Sequence, residues 1–168
     1  MRQRCAPFLM TKFITILVGV LFSLNSLGQL SCDISQLSKQ DKLLLREFWT
    51  KFKTSINKKD KISLAALVNF PFECDYCTEG VMGDVKITEK QFHSKQYKIF
   101  FTSKLQKEFD KDILDIIEPN YGKLQKKCSY RFAYVSIDPS NGFEGQQIFF
   151  VVEKVGGQFK ITSTWTVA

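Results

Sequence analysis

The stretch Gln146–Thr166, "QQIFFVVEKVGGQFKITSTWT", decides the fold. Aromatic and β-branched residues fill both halves. Between them stands Gly156–Gly157, where a two-residue hairpin turn needs residues that accept positive φ. The reading is an antiparallel hairpin. In its second arm Phe159, Ile161 and Trp165 fall on one face and Lys160, Thr162 and Thr164 on the other, so strand alternation gives that arm one buried side. Just upstream, "YRFAYVSI" (Tyr130–Ile137) has the same character, and "DPSNG" after it is a turn. Three antiparallel strands therefore close the chain.

Earlier in the chain the period becomes helical. Leu44, Leu45, Phe48, Trp49, Phe52 and Ile56 recur at three- and four-residue spacing, opposite Lys42, Glu47, Lys51 and Lys53, which predicts one amphipathic helix beginning near Ser38. Asp60 offers an N-cap to a second helix, "KISLAALVNF", which Pro71 ends or kinks because the residue before a proline is pushed out of the helical region. Gly80 and Gly83 mark a loop or hairpin, and "DVKI" a short strand. Thr88 and Gln91 then form a capping box. Phe92, Tyr97, Ile99, Phe100, Leu105, Phe109, Ile113 and Ile116 predict helix from about Glu89 to Ile117, broken once near Phe101–Ser103 and stopped by Pro119, Asn120 and Gly122.

The class is α+β, with N-terminal helices packed on an antiparallel sheet. "FWTKFKTSINKKDKISLAALVNFPF", then "ITEKQFHSKQYKIFF", then the closing hairpin resemble the nuclear transport factor 2-like superfamily as found in small exported bacterial proteins. The resemblance runs from Leu43 to Thr166. It implies a curled antiparallel sheet wrapped around the helices into a cone of nuclear transport factor 2-like or cystatin-like form, with an internal cavity. Some members of the superfamily are enzymes that place an Asp, His or Tyr inside the cone to move a proton. Fold alone does not assign such a role.

The first 28 residues have secretory-signal architecture: Arg2, Arg4 and Lys12 precede "ITILVGVLFSL", and Asn25, Ser26 and Gly28 follow it. The apolar run is well short of the about 20 residues that span a bilayer, so no stable membrane insertion is expected after cleavage. Met10 is an alternative start. Cys32 raises lipidation, but Gln29 stands where a lipobox wants an aliphatic residue. The expected product is an exported single domain, Gln29 to Ala168, periplasmic or secreted.

The formal net charge of +7 belongs partly to this leader. Beyond it the lysines are dispersed among acids, and Arg46 and Arg131 are the only arginines, which is the pattern of a solvated surface rather than a nucleic-acid interface.

Cys74 and Cys77 in "NFPFECDYCTEG" could be a redox pair, half of a zinc site or a staple. Redox chemistry wants the first thiol at a helix N-terminus, whereas acids and glycines surround this pair. Zinc wants a second ligand pair, and the remaining candidates Cys32, Cys128 and His93 are single. Four cysteines in an exported chain read best as disulfides, with three pairings open. A β-turn would allow Cys74 to meet Cys77.

His93 reads as a surface residue of a helical turn. No phosphate loop, metal-binding His pair or nucleophile elbow is present, and no cofactor is expected. Tyr97, Tyr130, Tyr134 and Trp165 are candidates to line a cavity, although aromatic burial in the core explains them equally. Asp84 and Asp138 are remote acid candidates. The sequence thus points to an exported non-catalytic domain binding a small ligand or protein partner, in its cone or on its sheet face, with a homodimer through the sheet as one arrangement. The alternative is an isomerase- or dehydratase-like enzyme using a cavity Asp or Tyr.

Overall fold

The computed structural model describes residues 32–77, 85–120, 127–140 and 145–167. The leader, Gly80, Gly83, Asp84, Gly122 and part of the "DPSNG" turn lie outside them. Helix α1 spans Lys39–Asn57, capped by the Ser38 side chain, which accepts from the Asp41 amide. Helix α2 spans Lys61–Ala66, capped by Asp60 accepting from the Ile62 and Ser63 amides. Strand β1 is Val68–Cys74 and β2 is Val85–Ile87. Helix α3, Glu89–Ser94, opens on the capping box of Thr88 and Gln91. A 3₁₀ turn at Gln96–Phe100 follows, then α4 (Ser103–Gln106), a second 3₁₀ turn (Lys107–Asp110) and α5 (Ile113–Ile116). The strands β3 (Glu118–Pro119), β4 (Ser129–Ile137), β5 (Gln146–Val155) and β6 (Gln158–Val167) complete the chain.

The six strands form one open sheet in the order β2-β1-β6-β5-β4-β3. Its β3–β4, β4–β5 and β5–β6 pairings are antiparallel, as the closing hairpin predicts. Gly156 (φ 58°) and Gly157 (φ 83°) supply the two positive-φ turn positions between β5 and β6. One pairing departs from the antiparallel expectation: β1 lies parallel to β6, so the sheet is mixed.

Two helices are shorter than their patterns suggested. The second stops at Ala66, and "VNFPFEC" is a strand containing Pro71. The β1–β6 register shifts between Val68 and Glu73, so proline falls where the ladder is already interrupted and its missing N–H is tolerated. The segment after Glu89 breaks several times rather than once. Its aromatic spacing is met by short helical pieces, each turned to keep an apolar side chain inward: Phe92, Phe100, Leu105, Phe109 and Ile113 are all buried.

Phe52 of α1 is fully buried at the centre of the core. Its ring lies 5.5 Å from Trp49, 5.8 Å from Phe132, 6.0 Å from Phe100 and 6.4 Å from Phe150. These spacings are those of favourable edge-to-face and offset pairs. The helix is thereby pressed onto the inner face of β4 and β5.

The β6 face assignment changes at a bulge. Val152 pairs with Ile161 and Val151 with Ser163, leaving Thr162 as the extra residue. A bulge reverses the alternation beyond it. Phe159 and Ile161 are buried as expected, but after Thr162 it is Thr164 that turns inward, 1 % exposed. Trp165 turns to the opposite face, where its ring stacks on Phe149 at 4.2 Å.

Candidate functional site

The four cysteines form two disulfides. Cys32 joins Cys128, with Cα atoms 5.2 Å apart, and Cys74 joins Cys77, with Cα atoms 5.5 Å apart. Cys74 ends a strand and is fully buried, so the pair lacks the helix N-terminus that thioredoxin-type chemistry requires. With all four sulfurs bonded, none is free as a zinc thiolate.

The short ring has a consequence for its two central residues. Asp75 and Tyr76 both bond to β6. Asp75 Oδ2 accepts from the Thr166 amide at 3.0 Å. Tyr76 Oη lies 3.1 Å from Thr164 Oγ1. Thr164 donates its single hydroxyl proton to the Phe149 carbonyl at 2.7 Å, so Tyr76 must be the donor in the Tyr76–Thr164 bond. Gln96, itself buried, donates to the Cys77 carbonyl at 2.8 Å and fixes the far end of the turn.

Tyr76 thereby becomes a wall of a pocket of about 190 Å³. The other walls are Ile99 and Thr102 beside α4, Lys104 on α4, Tyr134 and Ser136 on β4, and Ile148 on β5. Ser136 is the extra residue of a second bulge, where Val135 pairs with Gln147 and Ile137 with Gln146. Its hydroxyl donates to the Gln146 side chain at 2.9 Å or its carbonyl at 3.1 Å. Ser136 is two residues beyond Tyr134, so strand alternation puts both on the face that lines the pocket.

Tyr134 is 3 % exposed, and its hydroxyl has no hydrogen-bond partner among the described residues. Thr102 is its polar neighbour, but no bond of acceptable geometry joins them. Burial raises the Tyr134 hydroxyl above its ordinary pKa, with Thr102 acting against that shift. Burial likewise pushes Tyr76 well up, opposed by its bond to Thr164 and reinforced by the nearby Tyr134 and Asp75. Both phenols therefore stay protonated at neutral pH, and neither serves as a phenolate base.

Lys104 Nζ is paired with the Asp138 carboxylate, which holds Asp138 below the usual carboxylate range. Asp138 itself is exposed and does not line the pocket. Asp84 lies outside the described residues. Asp75 Oδ1 is buried without a partner, and it too is absent from the pocket lining.

The other aromatic candidates sit elsewhere. Tyr97 is half-buried against Phe101 at 5.6 Å, with Lys61 Nζ 5.6 Å from its ring centre. Tyr130 is buried near Phe159, its rings 6.3 Å apart. Trp165 and Phe149 are capped by the Arg131 guanidinium at 5.6 and 5.0 Å on the outer sheet face, and Arg131 Nε donates to Glu118 at 2.7 Å. His93 Nε2 is 3.8 Å from Glu89 Oε1 one helical turn away. Tyr134 is thus the one sequence candidate at this pocket. Tyr76 was not a sequence candidate, because its place at the pocket goes with a bond to Thr164, 88 residues away in sequence.

Among the described residues, no helix is long and apolar enough to cross a membrane. No protein-family model matches the chain, and no curated protein matches it. Solved structures are similar at low identity. A chain named Rd1NTF2_05 is 13 % identical, with a TM-score of 0.37, over 73 % of this chain and 95 % of its own. A domain of unknown function with a cystatin-like fold from Nostoc punctiforme is 13 % identical, with a TM-score of 0.40, over 78 % of each chain.

Proposed function

We propose that the protein is an exported, non-catalytic domain that binds a small molecule in the pocket between β4, β5 and the Cys74–Cys77 turn. The observation that carries this reading is the buried hydroxyl of the lining residue Tyr134, which has no hydrogen-bond partner among the described residues. Buried polar groups are nearly always satisfied, and one left open beside a cavity invites a ligand. Export is supported by the leader pattern and agrees with two disulfides, which persist in oxidising compartments. The enzyme alternative has less support, because neither lining phenol ionises near neutrality and no described carboxylate lines the pocket.

Screening one-ring compounds by NMR against the oxidised protein tests the reading. Binding that shifts Tyr76, Ile99 and Ile148 resonances and is lost in Ile99→Trp, which fills the pocket, supports it. Binding unaffected by that substitution overturns it.

A further inference from the structure

Building on the pocket reading, we propose that its ligand is a single-ring molecule bearing a hydroxyl group, a phenol or cyclic alcohol. Size sets the first limit. A cavity of about 150 Å³ holds one benzene ring, so about 190 Å³ seats a ring with one small substituent.

The walls set the second limit. Ile99 and Ile148 offer only apolar surface, which suits the body of a ring. The polar groups can then be counted by proton. Tyr134 has an O–H and lone pairs with no hydrogen-bond partner among the described residues. Tyr76 has committed its proton to Thr164, so toward the pocket its oxygen can only accept. Ser136 has committed its proton to Gln146. Thr102 accepts from the Leu105 amide and keeps its own proton, so two donors, Tyr134 and Thr102, share these walls with two oxygens that only accept, Tyr76 and Ser136. A ligand hydroxyl, which both accepts and donates, matches that set by accepting from Tyr134 and donating to Tyr76.

A carboxylate fits poorly. It only accepts, it would set its charge against the Tyr76 oxygen, and the nearby cation, Lys104, is already neutralised by Asp138. A plain hydrocarbon would fill the space but leave Tyr134 unsatisfied.

Titration calorimetry of the oxidised protein with 4-methylphenol, toluene and benzoate tests this. The expected result is about tenfold tighter binding of 4-methylphenol than toluene, with benzoate weakest, and a preference over toluene that collapses in Tyr134→Phe and weakens in Tyr76→Phe. Equal binding of 4-methylphenol and toluene, both lost in Ile99→Trp, overturns the hydroxyl pairing while leaving the pocket reading intact. Tighter binding of benzoate overturns the ligand class. Absence of binding by all three, with other one-ring compounds also silent by NMR, overturns both.

Discussion

The Tyr76 hydroxyl donates to the Thr164 hydroxyl across 3.1 Å, tying the centre of the Cys74–Cys77 ring to the inward side of β6. Thr164 is available there because the Thr162 bulge turned it inward, and it passes its own proton to the Phe149 carbonyl. A feature of strand register and a feature of cysteine spacing thus meet in one bond. That bond positions a pocket wall.

The chain of hydroxyls predicts a non-additive mutant cycle. Tyr76→Phe should cost about 1 kcal/mol, the usual net loss for one hydrogen bond. Thr164→Val should cost about 1–3 kcal/mol, because it leaves the Tyr76 proton buried without an acceptor. The double variant should be less destabilised than the sum of the two, as measured by urea unfolding.

Tyr134→Phe should behave in the opposite way. Its hydroxyl is desolvated and receives no hydrogen bond in return, so removing it should leave unfolding stability unchanged or raised. A loss above about 1 kcal/mol in the urea midpoint analysis would show a protein partner for that oxygen.

The two disulfides should separate stability from site integrity. In the chain-entropy description, the Cys32–Cys128 loop is worth about 4.7 kcal/mol and the Cys74–Cys77 loop about 2 kcal/mol. Cys32→Ser with Cys128→Ser should therefore produce the larger fall in unfolding stability. Cys74→Ser with Cys77→Ser should cost less, yet broaden or shift the Tyr76 ring resonances and weaken ligand binding. A paired variant that kept both would show that the ring is not what holds the wall.

How much of this was legible in sequence depends on how local the cause was. The β5–β6 hairpin was legible because Gly156 and Gly157 encode the turn themselves. The α1 core face was legible because burial follows helical period, and the capping box at Thr88 and Gln91 is a three-residue event. The face of Trp165 was not, since the bulge at Thr162 arises from pairing with β5 and leaves no mark in β6 alone. The strand at Pro71 was missed for a similar reason: the parallel partner that accommodates it lies about ninety residues away in sequence. Tyr134 could be named as an aromatic of the sheet, while its unsatisfied hydroxyl is a property only of packing.

Core packing should respond most sharply at Phe52. Its ring is fully buried among Trp49, Phe100, Phe132 and Phe150, so Phe52→Ala should cost about 3–5 kcal/mol. Differential scanning calorimetry should show the corresponding drop in Tm, larger than for any single pocket substitution.

Acid should remove a specific contribution at α5. The Asp112 carboxylate accepts from the Leu114 amide at 3.0 Å and from Arg46 at 2.8 Å, and these hold its folded-state pKa below 3.8, the Leu114 bond being the larger cause. A carboxylate with a lowered folded pKa stabilises fully above its unfolded value and loses that contribution as pH falls through the folded one. Stability should therefore decline below about pH 4, and the Asp112-dependent part of that decline should vanish in Asp112→Ala. At pH 7 that variant should cost about 1 kcal/mol through the lost cap.

The pocket itself is tested most directly by crystallography of the oxidised protein soaked with 4-bromophenol, the bromine located by its anomalous signal. The account predicts one ring seated against Ile99 and Ile148, its oxygen within hydrogen-bond distance of Tyr134 and Tyr76 and its bromine toward the Lys104 side. A bromine found only on the outer face beside Trp165, or an empty pocket at a concentration where solution binding is saturated, would contradict it.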